Sequence, residues 1–285
     1  MNNTISRRSI VKSSILGLVT VSIPNIVFAK HIYTTDDVPV SGDKIFYRYP
    51  SIDDEIVQEV VGKSHFDLER VKEIVNKRPE LAKATWDWSF GDWESAIGAA
   101  SHVGRRDIVE FLLSKGAMPN IFTFAVLGAF DVVKGMVEFY PGVQKIAGPH
   151  GISLLAHAEV GLRMKDKMSQ KNIDDTNKLI DYLKALGDAD SNPIIMIDEA
   201  ERPMYMGDYK YGEGEKEGLS VKLDMRKNIS LGKLGQSGGS LSKIGEHRFS
   251  YKGAPSIQVS FQVENNIVKS LTVHEPELTL VAKKI

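Results

Sequence analysis

Across residues 53–186 apolar side chains recur at the spacing of helix faces. Ile56, Val57, Val60 and Val61 form one stripe, Leu68, Val71, Ile74 and Val75 a second, and Ile108, Val109, Phe111, Leu112 and Leu113 a wider third. Val132, Val133, Met136 and Val137 repeat the pattern, and residues 174–186 carry it once more. Asp67, Asp107 and Asp131 stand where such helices begin, so Asp107 is expected to cap the helix that follows Gly104. Gly104 and Gly116 fall at helix stops. After Pro193 the period drops to two. Leu219, Val221 and Leu223, then Ile257, Val259 and Phe261, then Leu278 and Leu280 alternate with polar residues. Asn265 and Asn266 sit between two of these runs like a tight hairpin turn.

Helical pairs of this size cannot each bury their own apolar face, so they must stack on neighbours. Residues 92–120 (DWESAIGAASHVGRRDIVEFLLSKGAMPN) resemble one ankyrin repeat, with Met118 and Pro119 departing from the usual ending. Gly151, Ile152, Ser153, Leu154, Leu155, Ala156, His157 and Ala158 resemble that family's Gly-x-Thr-Pro-Leu-His-x-Ala opening, with Ser153 for Thr and Leu154 for Pro. Residues 187–192 are close to its helix-to-turn ending. The resemblance implies an ankyrin-repeat α-solenoid of about four repeats over residues 53–192. A lead-in segment, residues 30–52, precedes it, and a small antiparallel β domain, residues 193–285, follows. The expected class is α + β in separate domains. The order of the last part, from Tyr205, Met206 and Gly207 through His247, Arg248 and Phe249 to Ile267 and Val268, resembles the small β domain appended to some bacterial serine hydrolases. No catalytic residue comes with that resemblance.

Composition narrows the function. The chain is 42% hydrophobic and 26% charged with a formal net charge of -1, which offers no electrostatic footprint for nucleic acid or an anionic membrane. The absence of cysteine excludes disulfides, thiolate nucleophiles and cysteine-ligated zinc. At the start, Ser6, Arg7, Arg8 and Lys12 precede a mildly apolar stretch and a small-residue ending at Ala29. This resembles a twin-arginine signal peptide over residues 1–29, and it implies a periplasmic or secreted protein with no membrane segment in its mature form.

Several local patterns invite chemistry. Gly235, Gln236, Ser237, Gly238 and Gly239 spell Gly-x-Ser-x-Gly, but the flanking residues read as turn and strand where a nucleophile elbow needs strand and helix. Asp188, Asp190 and Asn192 imitate a calcium loop whose essential Gly is replaced by Pro193. His102, His150 and His157 lie on or near successive helical pairs, yet no His-x-x-x-His spacing joins them, so they are read as structural and no metal is assigned. All three tryptophans fall within residues 86–93. Trp93, next to a helix, is expected to pack inward, whereas Trp86, Trp88, Phe90 and Asp92, with Phe122 and His150, are candidates for a face that binds a protein partner.

The resulting expectation is an exported, monomeric, non-catalytic ankyrin-repeat protein that mediates protein–protein interaction and needs no cofactor. The alternative is a hydrolytic or small-ligand-binding β domain for which the repeats serve as a scaffold.

Overall fold

The computed structural model describes residues 45–190, 197–224 and 226–285. The signal-peptide residues Arg7, Arg8, Lys12 and Ala29 lie outside them, as do Asn192, Pro193 and most of the lead-in. The chain divides into two compact units, residues 1–57 and 58–285. In the first, the described part is a turn followed by the opening of helix α1 (Asp54–Lys63).

Among the described residues, the second unit holds the remaining helices and the strands. Helix α2 (Leu68–Lys77) starts at Asp67, whose carboxylate accepts from the Arg70 N–H at 3.1 Å. A two-stranded ribbon follows, β1 (Thr85–Asp87) antiparallel to β2 (Trp93–Ser95). Its turn carries Phe90 and Gly91 at φ 59° and 85°, the pair of positive angles that a tight hairpin of the native twist requires. Helices α3 (Ala96–His102), α4 (Arg106–Ser114), α5 (Ile121–Val126), α6 (Phe130–Phe139), α7 (Leu154–Val160) and α8 (Gln170–Leu186) complete the helical part. Ser95, Asn120, Ser153 and Ser169 cap four of them through side-chain oxygens. Asp107 is not a cap. It falls inside the first turn of α4 and pairs with Arg105 at 2.8 Å, because the helix begins two residues earlier than a cap at Asp107 would place it. Gly104 (φ 72°) lets α3 approach α7: a Cβ there would stand 2.2 Å from the Val160 carbonyl oxygen.

A four-residue helix, α9 (Arg202–Tyr205), leads into eight strands: β3 (Gly207–Lys210), β4 (Gly218–Leu223), β5 (Ile229–Lys233), β6 (Gly239–Gly245), β7 (Arg248–Tyr251), β8 (Ala254–Glu264), β9 (Ile267–His274) and β10 (Thr279–Lys284). Each pairs antiparallel with the next, and β10 returns to pair with β3, so the sheet closes into a barrel. Asn265 and Asn266, both at positive φ, turn β8 into β9. The Gly235-to-Gly239 motif occupies the β5–β6 connection and the start of β6, with no following helix. Eight strands leave an interior about wide enough for side chains to fill. Tyr209, Val221, Leu231, Phe249, Val259, Phe261 and Leu271 fill it, and Tyr205 closes one end, its ring 4.7 Å from that of Phe261 and 5.2 Å from that of Phe249.

This architecture corrects the sequence expectation. The molecule is a closed eight-stranded barrel joined to helices, and not an ankyrin solenoid followed by a separate small β domain. Helical spacing is a local signal that pairs neighbours without fixing how pairs stack. Closure depends on β3 meeting β10, a pairing that no local period encodes. The parts also interlock: the Phe90 ring lies 5.0 Å from Tyr251 of β7, and Gly253 in the next turn packs against Asp92. Among the described residues no helix is long and apolar enough to cross a membrane.

Candidate metal centre

Four elements converge beneath the ribbon. Strand alternation on β2 turns Glu94 inward and leaves Trp93 61% exposed, so Trp93 does not pack inward as expected. Glu94 itself is fully buried. His102, the last residue of α3, brings Nδ1 to 2.9 Å from Glu94 Oε1. His65, in the turn after α1, places Nε2 3.4 Å from Oε2, and His150 places Nε2 3.5 Å from Oε1. One ligand atom from each of His65, Glu94, His102 and His150 lies within 4.8 Å of the other three.

The outer shell orients these groups. The Trp88 indole N–H donates to Glu94 Oε2 at 2.7 Å. His65 Nδ1 lies 3.0 Å from the Gly62 carbonyl oxygen, which directs its Nε2 to the carboxylate. His150 sits at φ 58°, a left-handed conformation that costs a non-glycine residue free energy. Asp92 holds it there twice, accepting from the backbone N–H at 2.8 Å and contacting Nδ1 at 2.7 Å. Carboxylate-to-imidazole and carbonyl-to-imidazole contacts of this kind are what orient metal-ligating histidines.

The electrostatics are those of an enclosed anion among imidazoles. Burial pushes the Glu94 pKa up, but its contacts with His102 and then His150 outweigh burial and hold it well below the usual carboxylate range. Burial lowers His102, and the nearby carboxylate only partly offsets this. For His150 burial again favours the neutral form, while the Asp92 and then Glu94 contacts prevail and raise it to about 9. His157, on α7, is pushed down to about 4, chiefly by burial. The His102–Glu94 approach, close as it is, lies off the direction of a ring N–H bond, and both Glu94 Oε1 and His102 Nδ1 are buried with no hydrogen-bond partner.

That combination suits a cation. Buried polar atoms without partners are costly, and two of them face each other here. Tetrahedral zinc at about 2.0–2.1 Å from nitrogen and oxygen ligands sets neighbouring donors roughly 3.4 Å apart. The Glu94 contacts of 2.9–3.5 Å already approach that spacing. A set of three imidazoles and one carboxylate, without thiolate, suits divalent first-row transition metals more than calcium or magnesium.

The residues read from sequence as a partner-binding face are therefore largely gathered around an interior centre. Trp88 bonds Glu94, Asp92 holds His150, and Phe122 is buried with its ring 4.6 Å from that of His157. Trp86 is paired opposite Glu94 across the ribbon, and Phe90 packs on the barrel. His65 and Glu94 escape a linear reading altogether: one is a lone histidine after a helix, the other a lone glutamate on a three-residue strand. The alternation that buries Glu94 between exposed Trp93 and half-buried Ser95 is the one local signal of it. Of the calcium-like run, Asp188 is occupied by Gln144 and Lys145, and Asp190 accepts from the Ser153 hydroxyl. No protein-family model matches the chain, and neither a curated protein nor a solved structure matches it.

Proposed function

We propose that this protein binds one divalent first-row transition-metal ion through His65, Glu94, His102 and His150. The observation that carries the reading is the fully buried Glu94 carboxylate, ringed by three imidazole nitrogens, with Oε1 and His102 Nδ1 both lacking hydrogen-bond partners. Metal coordination satisfies both atoms and compensates the burial of the carboxylate. Asp92 and the Gly62 carbonyl fix the ring orientations from behind, and Trp88 fixes the carboxylate. The helical part supplies all four ligands, and the barrel supplies the surface against which Asp92 rests.

Elemental analysis after zinc loading and exhaustive dialysis tests this. Wild-type protein is expected to retain one zinc per chain, while Glu94→Gln and His102→Ala retain far less. Wild-type protein that leaves dialysis without bound zinc, and likewise without cobalt or nickel when loaded with those, would end the reading.

A further inference from the structure

A fourth imidazole, His157, stands beside this centre, and the four ligands leave it unused. It is fully buried on α7. Its Nδ1 lies 2.8 Å from the Ser153 carbonyl oxygen, one turn back, so that nitrogen carries the proton and donates. Nε2 therefore presents a lone pair, and it is buried with no hydrogen-bond partner. The ring is fixed in place. Phe122 lies against it at 4.6 Å, His102 stands edge-on at 6.5 Å, and a Cβ on Gly148 would come within 3.0 Å of its Cε1.

His157 thus has the backing of a metal-bound histidine while its free nitrogen lies outside the ligand group. An acceptor one shell out from a metal is satisfied by a water bound to that metal. A metal–oxygen bond of about 2.1 Å followed by a hydrogen bond of about 2.8 Å spans up to roughly 5 Å, a distance of the same order as the 6.5 Å between the centroids of the His157 and His102 rings. Entry is also asymmetric. The side chains of Glu94 and His102 are 0% and 6% exposed, whereas those of His65 and His150 are 21% and 30% exposed, so solvent reaches the centre from their side. We infer that the metal keeps a water ligand which donates to His157 Nε2, and that small monodentate anions displace this water. With four protein ligands already present the ion is then five-coordinate, its fifth position open to exchange, and His157 is a positioning residue for that position. This rests on the metal-binding reading above.

Cobalt substitution separates the two claims. Cobalt-loaded protein is expected to show visible d–d absorption, and azide is expected to shift it with saturation. A hydrophobic replacement, His157→Leu, removes the acceptor that favours water. Azide, which has no proton to donate to Nε2, should then bind about fivefold or more tightly, while His157→Gln, which restores an acceptor, stays near wild type. An absent cobalt spectrum would count against metal binding itself. A cobalt spectrum indifferent to azide in wild-type protein would overturn the open position and leave metal binding intact, and this arm needs no variant to fold. Equal azide affinity in wild type, His157→Leu and His157→Gln would overturn the contact between His157 and the water.

Discussion

The helical part and the barrel use their interiors in opposite ways. The barrel buries rings and branched aliphatics, and its buried serines are all bonded: Ser220 to Asp208, Ser230 to the Lys222 carbonyl, Ser270 to Gln262. Its ionic groups pair near one end, where Lys243 holds Glu201 and Glu201 accepts from Tyr205. The helical part instead encloses Asp92, Glu94, His102 and His157 and leaves polar atoms of the last three without partners. An apolar interior stabilises through area removed from water, whereas the enclosed carboxylate, with only the protonated His150 to offset it in the metal-free chain, carries a desolvation cost that a bound cation would relieve. The barrel thus carries an apolar core, and the helical part the buried polar cluster.

The largest expected effect tests the barrel's half of that division. Phe249→Ala removes a fully buried ring at the centre of the aromatic stack and should cost about 3–5 kcal/mol, read as a lowered denaturation midpoint. Zinc stoichiometry of the fraction that remains folded should be unchanged. Loss of both together would merge the two regions.

Glu94→Gln is the converse. Zinc affinity measured by chelator competition should fall at least about a hundredfold, near 2.7 kcal/mol, since the anionic ligand is gone. The melting temperature of the metal-free protein should change far less than in Phe249→Ala. A metal-free Glu94→Gln chain that unfolds would show that the carboxylate is structural.

Gly253→Ala crosses the boundary. A Cβ at this barrel turn would stand 2.2 Å from the Asp92 carboxyl carbon and one of its oxygens, so Asp92 must move and release His150. Losses of an outer-shell partner typically reduce metal affinity about 10–100-fold, and a tenfold loss is expected. Unchanged affinity would mean that the barrel does not support the centre.

The smallest effect concerns acid. Lys243 hydrogen bonds hold the Glu201 carboxyl below its usual pKa, against the opposing pull of burial. A depressed folded-state pKa contributes stability above the unfolded value of about 4.3 and loses it as pH falls through the folded value. Lys243→Ala should therefore cost up to about 1 kcal/mol at neutral pH and nothing once Glu201 is protonated in both states. A difference that persists at pH 2 would assign the loss to packing.

These regions were also unequally legible in the sequence. Helical periods located α2, α4, α6 and α8, and alternation with the Asn265 and Asn266 turn located β4, β8 and β9, because both signals live within one element. The barrel did not show, since closure rests on β3 meeting β10. The metal centre was hidden for a related reason. Its ligands come from a turn, a strand, a helix end and a second turn, and spacing rules detect ligands only when a single element carries two of them. His102 and His150 were visible as candidates but had no carboxylate to point at until the ribbon placed Glu94 between them.

The spread of those four ligands bears on folding. They lie on segments as far apart in the chain as His65 and His150, in a protein without cysteine. A bound ion would tie these segments as a cross-link does, closing loops that an unfolded chain would have to close at an entropic cost that grows only slowly with length. Unlike a disulfide the tie is reversible. Each tenfold excess of free ion over its dissociation constant would add about 1.4 kcal/mol to the folded state. The durability of the helical part would then follow the metal supply of the compartment it inhabits.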